Sequence, residues 1–272
     1  MRPTLVVFAA AIAALIPLPR ALAGQLIVVG GLSREAVVQP GATLEGKILL
    51  TNTGNEPRPV KVYQTDYRYT ADGATYYDEC GTLPRSNGKW ITVTPQQLTV
   101  PADATEAVNY VIHVPQDADL LGTYWSMVMV EPLAEDAPEV AGPTDTDQPQ
   151  IAIRTIMRYG VQMITDVGTT GERAVKFGAK ELAIAEERCF LNVDVENTGQ
   201  RRLGPVVWTE LFDASGASVG RFEAQRQRLY PGCSARYPIE LTGVPKGAYN
   251  ALIVADNGDS DVFGIQAKIE LP

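Results

Sequence analysis

The chain has 272 residues, room for one large domain or two of ordinary size. Hydrophobic residues make up 45% and charged residues 20%, enough for a packed core, which excludes a disordered or low-complexity protein. With 23 Lys+Arg against 32 Asp+Glu the net charge is −9, the wrong sign for holding nucleic-acid phosphates. One histidine and three cysteines are too few for a zinc finger, a multi-histidine metal centre or a disulfide-dense mini-domain, so neither a cofactor nor a metal is expected.

Residues 1–23 read as an address. Arg2 gives a positive start, residues 5–18 are an apolar run, and Ala21-Leu22-Ala23 has the small-x-small pattern of a cleavage site. The run is too short for the ~30 Å hydrocarbon core. A cleaved signal peptide, export to the periplasm or cell envelope and a mature chain from Gly24 are therefore expected. Losing Arg2 and Arg20 leaves 21 basic against 32 acidic residues, a mature charge of −11. No later stretch reaches 18 apolar residues, so no membrane span is expected in the mature chain.

The rest reads as strands broken by Gly, Pro, Asn and Asp. Period-2 alternation predicts strands at 43–51, 60–70, 90–93, 107–114 and 123–131, with turns at Asn52-Thr53-Gly54-Asn55 and Asp72-Gly73. An internal repeat organises them. Leu50-Thr51-Asn52-Thr53-Gly54 returns as Val195-Glu196-Asn197-Thr198-Gly199. Leu98-Thr99-Val100-Pro101-Ala102 returns as Arg228-Leu229-Tyr230-Pro231-Gly232. Val114-Pro115, Gly122 and Tyr124 return as Val244-Pro245, Gly247 and Tyr249. The order is the same in both halves, and the first copy is about 20 residues longer. The expected architecture is all-β: two tandem immunoglobulin-like β-sandwiches, residues 24–165 with an insertion at 71–89, and residues 166–272.

Residues 131–150 hold four prolines and many acidic residues but no aromatic, which predicts a mobile loop between strands F and G. Next comes a long alternating segment, 151–163. Its odd positions, including Ile151, Ile153, Met157 and Tyr159, are mainly apolar, and its even positions, including Arg154 and Arg158, mainly polar.

Chemistry-bearing residues are sparse. His113 lies inside a predicted strand and is expected to be half-exposed there, so no catalytic residue is assigned. The acidic run Asp256-Asn257-Gly258-Asp259-Ser260-Asp261 departs from the spacing of a calcium loop and reads as a hairpin. Cys189 starts strand B of the second sandwich and Cys233 precedes strand E. These antiparallel strands put the two thiols at opposite ends, too far apart for a bridge. Cys233 is expected to face the first sandwich, which leaves Cys80–Cys233 as the candidate disulfide. Tyr63, Tyr67 and Tyr69 fall on one strand face, and with Tyr76, Tyr77 and Trp90 they mark a candidate aromatic platform.

The run Trp90-Ile91-Thr92-Val93-Thr94-Pro95, then Leu98-Thr99-Val100-Pro101, an E strand, an acidic loop and Gln150-Ile151-Ala152-Ile153-Arg154-Thr155-Ile156-Met157-Arg158-Tyr159 resembles the first domain of PapD-like periplasmic pilus chaperones. The likeness is best over residues 43–165. The Trp-Ile-Thr-Val-Thr-Pro segment is also similar to the peptidoglycan-binding domain of WxL-interacting envelope proteins. The chaperone resemblance implies that the long strand adds itself to a partner's incomplete sandwich, with Ile151, Ile153, Met157 and Tyr159 filling the partner's groove. It further implies a cation pair gripping the partner's terminal carboxylate, for which Arg34 and Arg154 or Arg158 stand nearest. The family carries lysine where this strand has arginine.

Two readings follow. The first is a non-enzymatic, exported protein-binding module that engages a pilus-like subunit or envelope protein along 151–163. The second is an envelope module that binds peptidoglycan or glycan through Tyr67, Tyr76, Tyr77 and Trp90.

Overall fold

The computed structural model describes residues 26–133 and 157–272. The expected signal peptide, most of the 131–150 loop, and Ile151, Ile153 and Arg154 lie outside the described residues.

The chain is all-β and forms two sandwiches, with strands numbered here in chain order. One sheet of the first contains β1 (Leu26–Val29), β3 (Thr43–Asn52), β8 (Thr105–His113) and β6 (Ile91–Thr94), side by side in that order. The facing sheet contains β2 (Ser33–Val38), β10 (Tyr159–Val167), β9 (Gly122–Pro132), β4 (Arg58–Tyr69) and β5 (Thr75–Glu79), with β7 (Gln97–Val100) also pairing β4. In the second sandwich β11 (Val175–Ala185), β12 (Arg188–Asn197) and β15 (Ser234–Glu240) face β14 (Ser218–Glu223), β13 (Val206–Phe212), β16 (Gly247–Asp256) and β17 (Val262–Leu271).

Alternation explains both cores. Val60 and Val62 of β4, Val128 and Val130 of β9, and Val161 and Met163 of β10 all point inward onto Ile48, Leu50, Val108 and Ile112. Leu191, Val193, Val195, Tyr237, Ile239 and Ile253 do the same in the second sandwich. Each such side chain contributes about 1.5–3 kcal/mol by leaving water.

The repeat has a structural cause. Asn52 and Asn197 are fully buried at corresponding turns. The Asn52 Nδ2 donates to the carbonyls of Glu56, Val100 and Pro101, and its Oδ1 accepts the Gly54 N–H. Asn197 likewise donates to Arg201 O and Leu229 O and accepts from the Gly199 N–H. In each copy a carboxamide ties the Asn-Thr-Gly turn to the Pro-containing segment. An aspartate there would lack the donors that reach those carbonyls.

The insertion at 71–89 is ordered. Its β5 pairs with β4 from Thr65↔Glu79 to Tyr69↔Thr75. Its remainder folds over Asp66, whose buried carboxylate accepts the N–H groups of Gly81, Thr82 and Leu83 and the Ser86 hydroxyl. Asn87 then anchors the loop to Met163 O and Thr165 Oγ1 on β10.

Of the strand expected over 151–163, residues 151–156 lie outside the described residues; the described strand runs from Tyr159 to Val167. One expectation needs correction. The Cys80–Cys233 bridge is not formed; Cys80, Cys189 and Cys233 are free thiols. Cys233 does face the first sandwich, buried with Trp125, Ile164 and Tyr230. Cys80 instead lies against Gly88 within its own sandwich's insertion. Burial pushes both thiols upward, with Asp66 adding to the effect at Cys80, so both are poor thiolates. Cys189 and Cys233 stand at opposite ends of the β12–β15 ladder, which runs from Phe190↔Glu240 to Glu196↔Ser234.

Candidate functional site: a strand edge at the domain junction

Strand β10 has two different faces and two different edges. Its odd side chains, Val161, Met163 and Val167, enter the first core. Its even side chains, Gln162, Ile164 and Asp166, meet the second sandwich. One edge is paired with β9 along its full described length, from Tyr159↔Val130 to Val167↔Gly122. The other is paired in parallel with β2, but only from Gln162↔Ser33 to Val167↔Val38.

The hydrogen bonds fix the direction of that second edge. The Gln162 N–H donates to Leu32 O and the Gly168 N–H to Val38 O, both 2.9 Å. By alternation the main-chain groups of Gly160, and one step earlier of Arg158, point to the same side. There, among the described residues, no strand accompanies β10. Extended backbone with a bare N–H and C=O row is a template for another strand.

The side chains around this edge are held. Tyr63 donates its hydroxyl to Glu131 Oε2 at 2.8 Å, and Arg158 Nη1 lies 3.9 Å from the same oxygen. Burial and the Glu131 carboxylate push the Tyr63 phenol upward. The Tyr63 hydroxyl and the carboxylate beside it raise Arg158. The Tyr159 hydroxyl reaches Leu26 O at 2.6 Å, tying the start of β10 to β1. Met157 is more than half exposed.

Of the expected cation pair, Arg34 and Arg158 are described and Arg154 lies outside the described residues. Arg34 Nη1 donates to the carbonyls of Gly30, Gly31 and Ser33, and Nη2 to Val29 O, so its guanidinium closes the turn where the chain passes from β1 to β2. Gly30 and Gly31 both have positive φ there, a backbone that a side chain would strain. Arg158 faces Glu131.

The junction contains residues that the sequence did not single out. Glu35 on β2 accepts from Arg202 Nη2 at 2.7 Å and from Arg228 Nη2. Arg202 also bonds the buried Asp166 at 3.0 Å, which further accepts the Thr123 hydroxyl. Burial alone would lower the Arg202 pKa, but Asp166 and Glu35 outweigh it and the net shift is upward. Gln162 Oε1 takes bonds from Arg228 Nη1 and the Tyr230 hydroxyl. The Trp125 and Tyr230 rings stack at 4.8 Å and 8°. The second sandwich thus holds β2 against β10. No local pattern marks Arg202 or Arg228, because their partners lie up to 193 residues away in sequence.

The aromatic platform is divided. Tyr67 packs between Tyr69, Tyr77 and Tyr230, and its carbonyl accepts the Trp125 indole N–H. Trp90 packs on Tyr124 at 4.6 Å and on the first core. Tyr76 and Tyr77 are exposed, but as adjacent residues of β5 they point to opposite sides, so the four rings present no shared flat surface. His113 is exposed, with Nδ1 3.2 Å from Thr43 Oγ1. In the acidic run, Asp259 and Asp261 are both engaged by Arg173.

No family model matches the chain, and no curated protein matches it. Among solved structures it is similar to a chain of the chaperone–tip adhesin complex of CFA/I fimbriae, at 13% identity over 90% of this chain and 98% of that one, TM-score 0.48. It is similar to the class 5 fimbriae chaperone CfaA at 13% identity, over 91% and 99%, TM-score 0.46. A third is the CsuC–CsuE chaperone–tip adhesion subunit pre-assembly complex of Acinetobacter baumannii, at 12% identity, over 91% and 98%, TM-score 0.43.

Proposed function

We propose that this is a non-enzymatic, exported protein-binding module, chaperone-like or an adaptor, that engages an exported partner by lending it the edge of β10. The observation that carries the reading is the mismatch of the two ladders. β9 accompanies β10 from Tyr159, whereas β2 joins only at Gln162, and before Gln162 the edge opposite β9 has no strand beside it among the described residues. Main-chain hydrogen bonds along that edge supply affinity, and alternate apolar side chains, Met157 and further upstream Ile153 and Ile151, supply fit. Arg158 and Arg154 sit on the opposite set of positions.

The test is capture of envelope proteins from the host by the tagged mature chain. Arg158→Pro removes an edge N–H, and Met157→Asp places a charge on the exposed apolar side. Both are expected to lower capture of the wild-type partner about tenfold or more while leaving the melting temperature within about 2 °C, because neither residue is in the core. Undiminished capture by both folded variants refutes strand addition here.

A further inference from the structure

Arginines gather where the sandwiches meet. A groove of about 490 Å³ beside β10 is lined by Arg173, Arg201, Arg202, Arg226 and Arg228, in a chain whose net charge is −9. Arg173 is balanced by Asp259 and Asp261. The other four guanidiniums face two carboxylates, Glu35 and Asp166, and both belong to Arg202 and Arg228. Arg201 donates Nη1 to the carbonyls of Gly168 and Thr170, and Arg226 donates Nη1 to Gly204 O. Neither has a carboxylate partner among the described residues, and Nε and Nη2 of each bond no protein acceptor there. Arg201 is half-buried and Arg226 exposed, and like charges gathered along one groove repel unless an anion joins them.

We infer that this groove is an oxyanion site of the phosphate class. Five guanidiniums against four carboxylates leave the groove a net positive charge, and the two guanidiniums without a carboxylate partner, Arg201 and Arg226, can each take one charge of a phosphate dianion. Guanidinium forks pair with tetrahedral oxyanions through two hydrogen bonds at once. An anion between Arg201 and Arg226 would also join three segments: the 168–173 connection, whose carbonyls Arg201 holds, the turn at Gly204, and the Asn257 turn, whose Oδ1 accepts the Gly204 N–H. Arginine stays charged across the accessible range, so the ligand's own ionisation sets the pH dependence. Binding weakens as pH falls below about 6, where a phosphate monoester or inorganic phosphate loses its second charge.

The experiment is calorimetric titration of the full mature chain with inorganic phosphate at pH 7.5 and at pH 5 in low salt, alongside sedimentation with vesicles containing phosphatidic acid or phosphatidylcholine alone. One saturable site, weaker at pH 5 and weakened about tenfold or more by Arg201→Gln/Arg226→Gln but not by Arg221→Gln, is expected. Binding of free phosphate without sedimentation assigns a soluble ligand, and sedimentation only with phosphatidic acid, lost in the double variant, assigns a headgroup. If the double variant does not fold, amide NMR of the wild type decides. Phosphate must shift Gly168, Gly204 and Asn257, and shifts confined elsewhere overturn the site. Absence of saturable binding to both probes, or equal binding by the folded double variant, also overturns it.

Discussion

Asp66→Asn tests how the first sandwich holds its insertion. The carboxylate is fully buried. Its Oδ2 accepts Thr82 N–H at 2.9 Å and Leu83 N–H at 2.8 Å, and its Oδ1 accepts Gly81 N–H at 3.0 Å and the Ser86 hydroxyl. A carboxamide oxygen can keep the Thr82 and Leu83 pair, but its NH₂ then faces the Gly81 N–H, donor against donor. The Ser86 hydroxyl can rotate and accept. One buried N–H left unpaired costs about 1–3 kcal/mol, and two bonds lose charge assistance worth roughly 1 kcal/mol each. Relief from burying a charge offsets part of this, for a net loss of about 3 kcal/mol. With a urea m-value of about 2 kcal/mol/M, the transition reported by the nearby Trp90 and Trp125 should fall by about 1.5 M. Asp66→Ala leaves every donor unpaired and should cost about 5 kcal/mol. Hydrogen exchange at Gly81, Thr82 and Leu83 should quicken in both variants. If both stay within about 1 kcal/mol of wild type, the carboxylate does not hold the insertion.

Glu35→Gln removes the charge that holds β2 to Arg202 and Arg228; amide exchange at Gln162 and Ile164 should accelerate several-fold while exchange in β12 stays constant, and uniform change would disprove a local latch. Arg34→Gln should destabilise the β1–β2 turn by about 1–2 kcal/mol in urea titrations yet leave partner capture intact; loss of capture with unchanged stability would restore Arg34 as an anchor. Burial raises the phenol pKa of Tyr69, Tyr230 and Tyr237 in the folded chain. Their folded values exceed the unfolded value, so the unfolded state loses protons first above about pH 10 and stability falls as pH rises, by up to about 1.4 kcal/mol per pH unit per residue. Melting curves from pH 9 to 11 check this, and Tyr237→Phe should flatten the decline; an unchanged slope in that variant would exclude the effect at Tyr237.

Much of the first sandwich was legible. The segments expected at 43–51, 60–70 and 123–131 correspond to Thr43–Asn52, Arg58–Tyr69 and Gly122–Pro132. A half-buried strand writes its own alternation into the chain. The Asn-Thr-Gly repeat was equally visible, and the structure supplies its cause in two buried carboxamides. The pairing of β2 with β10 was not legible. Ser33–Val38 is short and thinly buried, and the reason it is a strand lies in Gln162–Val167, over a hundred residues away. The surroundings of Arg34 were not legible for a related reason: its place in the chain suggested a cation facing a ligand, and the glycine turn that brings four carbonyls around its guanidinium shows only in the fold.

The amino-acid order alone determined an all-β chain, its duplicated plan and where most strands of the first half lie, since a period of two and buried turn residues act within a few neighbours. Only the folded chain decided that β2 covers the β10 edge from Gln162 onward, that Cys80 and Cys233 remain apart, and that arginines from the second half collect beside the first. Those outcomes depend on pairings between distant segments, where burial and charge are set by neighbours that no local window contains.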